Sequence, residues 1–101
     1  MSSSSLFSPL ANPTNHQINL VLQAVQNYNP EHQERILVPS LTSNKVDYFI
    51  EEVLGMPDET VFHAASHRDY QFYYCRHNGQ VYQVILRDGI ALHVSRPQML
   101  R

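Results

Sequence analysis

Cysteine occurs once, at Cys75, which excludes an internal disulfide framework and a cysteine-rich zinc site. Glycine is nearly as scarce. Gly55 falls at a helix end and Gly79 and Gly89 in turns, so none remains for a phosphate-cradling loop. Lys45 is the sole lysine, and a formal net charge of −2 offers no field for nucleic-acid phosphates or an anionic membrane surface. No apolar run approaches the ~20 residues a membrane helix needs. The start, Met1 to Phe7, lacks the basic and apolar stretches of a secretory signal. These absences predict a cytoplasmic chain with no cofactor and no membrane association.

What is present suffices for one folded unit. A chain of 101 residues is near the commonest domain size, and 43% hydrophobic residues can build a core. So short a chain buries only about two-thirds of its unfolded surface, so modest stability or help from oligomerisation is expected. Residues 1–13, rich in Ser, Pro and Asn, read as a flexible tail ahead of a single domain over 14–101.

Three helices are expected first. Thr14 and Gln17 have the capping-box form, and Ile18, Val21, Leu22, Val25 and Tyr28 follow at helical spacing, giving a helix over about 15–28. Asn29-Pro30 stops it and opens a short second helix over 31–38, which Pro39 ends. The third, over 44–54, buries Val46, Phe49, Ile50, Val53 and Leu54 and ends at Gly55.

From Val61 the period changes to two, with strands expected at 61–66, 70–77, 80–86 and 90–95. Asn78-Gly79 and Asp88-Gly89 are the pairs that type I′ hairpin turns favour, because both central residues need positive φ. Two-residue turns fix the register. Cys75 then faces Tyr82, Tyr73 faces Val84, Leu86 faces Ala91 and Val84 faces His93. The fold expected is α+β, with the three N-terminal helices packed on one face of a three- or four-stranded antiparallel β-meander.

That register makes Phe72, Tyr74, Val81, Ile85, Ile90, Leu92 and Val94 a core face. The other face carries Tyr73, Cys75, His77, Tyr82, Val84, Leu86 and His93, with no Lys, Glu or Thr. A solvated sheet face would carry those residues, so this one is covered by another part of the chain or meets a partner. Tyr73, Tyr82, Val84, Leu86 and His93 are the candidate protein-binding residues.

Catalytic and metal chemistry find little support. His63 and His67 suit a metal only on a helix, and no second cysteine or nearby carboxylate completes a set. Cys75 with His77 two residues on could form a nucleophile and base, but a lone strand cysteine reads as a packing residue. Glu51-Glu52 and Asp58-Glu59 have no apolar pocket to raise a pKa. The function expected is a small non-enzymatic adaptor, assembly or regulatory protein that binds another protein or itself. The alternative is a nucleic-acid-binding regulator, using tyrosines flanked by Arg68, Arg76, Arg87 and Arg96, or a winged-helix-like arrangement. Against it, the third helix exposes Asp47, Glu51 and Glu52 with only Lys45 to offset them.

Overall fold

In a computed structural model, which describes residues 12–29, 31 and 50–96, the alternating stretch after Asp58 becomes four antiparallel strands in the order β1-β2-β3-β4. These are β1 (Thr60–His67), β2 (Tyr70–His77), β3 (Gln80–Arg87) and β4 (Ile90–Ser95). Both glycine turns take the conformation their residues favour. Asn78 and Gly79 lie at φ 53° and 75°, and Asp88 and Gly89 at 54° and 77°. The β2–β3 register follows from the first turn, with Tyr73 opposite Val84 and Cys75 opposite Tyr82.

Ahead of the sheet, α1 (Asn15–Gln26) starts at the expected capping box. The Thr14 hydroxyl accepts from the Gln17 amide N–H at 3.2 Å, and the Gln17 side-chain oxygen accepts from Thr14 N–H at 3.0 Å. These contacts satisfy donors that the first helical turn leaves free. A second, short helical segment, α2, is described over residues 50–54.

The expected three helices on one sheet face are not what the chain builds. The described residues hold two helices, one long and one short, and these lie on opposite faces. The helix expected over 31–38 falls outside the described residues apart from Glu31, as do the first residues of the one expected over 44–54 and the 1–11 part of the tail. Ile50 and Val53 of α2 pack with Phe62, Ala64, Tyr74 and Val81. Val21 and Val25 of α1 pack on the other face with Tyr73, Cys75, Val84 and Leu86. The cause lies in β2, where Phe72 to Cys75 are four consecutive buried residues. A strand apolar on both faces has to be covered on both, giving three layers.

A second correction concerns β4. The turn sets Leu86 opposite Ala91, but the register shifts by one residue before Ile85 pairs with His93 and Val84 with Val94. Leu92 is the extra residue of a β-bulge, and beyond it every side chain changes face. Val94 therefore joins the α1 cluster, and His93 moves to the face of Ile85. A similar shift interrupts β1 between His63 and Ala65. Among the described residues, both outer strands of the sheet thus carry a bulge, a feature that discourages edge-to-edge pairing.

Candidate functional site

The proposed tyrosine-rich face lies beneath α1. Tyr73 and Val84 are fully buried and Leu86 is 2% exposed, so none of the three is an open docking residue. Tyr82 is partly exposed and meets Tyr28 edge to face, with ring centroids 5.8 Å apart. His93 lies on the opposite face, for the register reason given above. The sequence therefore grouped four of the five residues correctly on one face, and α1 turns that face into core.

A polar chain runs along this interface. The Tyr73 hydroxyl donates to Gln71 Oε1 at 3.1 Å, and Gln17 Nε2 donates to the same oxygen at 3.4 Å. One glutamine thus ties the helix cap to the sheet, since Gln17 also closes the capping box. Burial pushes the Tyr73 phenol above its ordinary value. The His63 ring stacks on Tyr73 at 4.7 Å.

Cys75 sits deep in the same cluster, with no exposed surface. Burial first, and then the charges of Glu59 and Asp58, push its thiol up to about 12. A nucleophilic cysteine needs a depressed pKa and an electropositive, accessible setting, and Cys75 has the reverse. Nearby, His77 Nδ1 lies 4.0 Å from Glu59 Oε2. Among the described residues, no three His, Cys, Asp or Glu side chains come close enough to hold a metal ion.

Three of the four arginines that flank the tyrosines are engaged. Arg76 pairs with Asp58 at 3.1 Å and donates to the Leu54 carbonyl, clamping the end of α2 to β2. Asp58 also accepts from Gly79 N–H at 3.1 Å, so one carboxylate joins the α2–β1 loop to the β2–β3 turn. Arg87 lies 3.7 Å from Asp69 and over the Tyr70 ring at 5.4 Å, while Arg96 donates to Gln80 at 2.5 Å. Tyr73 is thus buried, and Arg76, Arg87 and Arg96 are each held by a partner on the sheet or its turns.

Two surface features stand out beside the residues that the sequence pattern singles out. The outward side of α1 exposes Asn15, His16, Asn19, Gln23 and Gln26, and no Asp, Glu, Lys or Arg occurs anywhere in the helix. The signal was available in the sequence, because the first charged side chain of the whole chain is Glu31. The second feature is a cleft of about 400 Å³ between the first turn of α1 and the β1–β2 and β3–β4 turns. No helix among the described residues is long and apolar enough to cross a membrane. Compared with known protein families, curated proteins and solved structures, the chain matches none.

Proposed function

We propose that this chain is a small non-enzymatic adaptor, assembly or regulatory protein that acts by binding another protein or a second copy of itself. The observation that carries this reading is the outward side of α1. Ordinary protein surfaces intersperse charges of both signs, and the centres of protein–protein interfaces are depleted of them. Here the exposed residues of the twelve-residue helix are four amides and one histidine, with the partly exposed Tyr82–Tyr28 pair toward the C-terminal end. The binding surface is thus moved one layer outward from the face expected in sequence, from the sheet to the helix that covers it. The burial of Cys75 and the raised pKa of its thiol agree with a non-catalytic role.

The test is the double variant Asn19→Glu, Gln23→Lys. The two positions are one turn apart, where an acidic residue four before a basic one supports a helix. The substitutions charge the surface without weakening α1. Light scattering of the unmodified protein is expected to give a mass above 11.7 kDa, or affinity capture a defined partner. The variant is expected to lose that association while keeping its circular dichroism spectrum. Association through an uncharged surface should also change little between low and high salt. An unchanged association in the folded variant sinks the reading.

A further inference from the structure

The Asn78-Gly79 pair that shapes the first hairpin is also chemically labile. Glycine has no side chain to shield its backbone nitrogen, so that nitrogen can reach the carbonyl carbon of the preceding asparagine side chain. A bond then forms from Gly79 N to Asn78 Cγ, and the Cγ–Nδ2 bond breaks. The proton from Gly79 leaves with the side-chain nitrogen as ammonia, and a five-membered succinimide remains. Water adds to either ring carbonyl and opens the ring to aspartate or isoaspartate, with no oxidation or reduction. Both residues are exposed, so water and base have access. A Cβ placed on Gly79 would meet nothing within 4 Å, so crowding does not block the reaction.

What restrains it is the turn and one carboxylate. His77 pairs with Gln80, and Asn78 and Gly79 lie at φ 53° and 75°, the mirror image of the common type I turn. In that conformation ψ of the first central residue is roughly +30°. The Gly79 nitrogen then points away from the Asn78 Cβ, and ring closure requires a swing about the Asn78 Cα–C bond. That nitrogen is tied down. Its N–H donates to Asp58 Oδ1 at 3.1 Å, and the same oxygen is held by Arg76 Nε at 3.1 Å. The swing breaks this contact, and the negative charge of Asp58 disfavours the deprotonated nitrogen that attacks. We propose that Asn78 is a site of spontaneous conversion to aspartate and isoaspartate, and that the Asp58 contact sets its rate in the folded chain. Conversion places a second carboxylate beside Asp58. As isoaspartate it also lengthens the two-residue turn on which the β2–β3 register depends.

The experiment ages the full chain in mildly alkaline buffer, folded and in urea, and follows the Asn78 peptide by mass spectrometry. Folded Asp58→Ala should convert about fivefold faster than folded wild type, the factor that one such hydrogen bond supplies. In urea the two should convert at the same rate, because the contact exists only in the fold. Val21→Ala serves as the control for general loss of stability. It opens a cavity beneath α1, away from the turn, and should leave the folded rate near that of wild type. Three outcomes overturn the proposal. A folded Asp58→Ala rate equal to or below wild type removes the role of Asp58. Equal acceleration by Val21→Ala makes the protection global rather than local. No conversion of Asn78 in folded Asp58→Ala, while the urea sample converts, shows that the turn alone suppresses the reaction.

Discussion

Raising the pH should destabilise this fold through one buried thiol. Cys75 is fully buried, and its pKa is raised from 9.0 to about 12 by burial and by the charges of Glu59 and Asp58. An acid whose folded pKa exceeds its unfolded value holds its proton more tightly when folded. Its stabilising contribution is complete below the unfolded pKa and is lost as pH rises toward the folded one. Between pH 8 and pH 10 the unfolded thiol loses its proton and the folded thiol keeps it. The linkage amounts to about 1.4 kcal/mol, one pKa unit of differential binding. Urea titrations at pH 8, 9 and 10 would measure it as a falling midpoint at constant slope. Tyr73, also raised by burial, adds its own loss of up to about 0.4 kcal/mol by pH 10, where the unfolded phenol is half ionised, so it is the comparison with a cysteine-free variant that isolates the thiol. In Cys75→Ala the absolute stability drops because a cavity opens, but the pH dependence between 8 and 10 should flatten by that same 1.4 kcal/mol. If wild type and variant lose stability in parallel over that range, the thiol is not protected as its burial requires.

Two further perturbations test how the layers are held. Asp58→Ala removes the shared acceptor of Arg76 and Gly79 N–H, and should cost about 1 kcal/mol in chemical denaturation. The figure stays small because Asp58 is half exposed. Leu86→Ala should cost about 2–5 kcal/mol, since its side chain is enclosed between β3 and α1, while Ile90→Ala should fall within about 0.5 kcal/mol of wild type. Ile90 is 61% exposed although it begins an apolar-looking strand, so comparable losses at the two positions would refute the placement of α1.

The hairpin between β2 and β3 was legible because its information is local: Asn78-Gly79 dictates positive φ, and alternation then sets each pair. The β3–β4 pairing was legible only as far as Leu86. Ile90, Leu92 and Val94 alternate as a regular strand would, so nothing in the spacing reveals that Leu92 is extra and that Val94 faces α1. A bulge is decided by twist and by what must be covered, which are tertiary demands. The expectation of three helices on one face failed for a similar reason. The second face was expected to be covered by the chain or to meet a partner, and the continuous buried run Phe72 to Cys75 is what requires cover on both sides.

The burial of Tyr73, Val84 and Leu86 beneath α1 is not legible in the strands themselves, because it depends on which helix covers them. The lack of any charged side chain before Glu31 is legible in the sequence. Yet a 12-residue helix without ion pairs or terminal charges is marginal by itself, so α1 has to draw its stability from the sheet. Val21, Val25 and their neighbours supply that contact on the inner side. Among the described residues, nothing in the packing requires the outer side to be uncharged, because glutamate and lysine would serve the helix better there than asparagine does. Stability therefore explains the inner stripe of α1 and leaves its neutral outer side unexplained by the fold, which is the ground for the association proposed above.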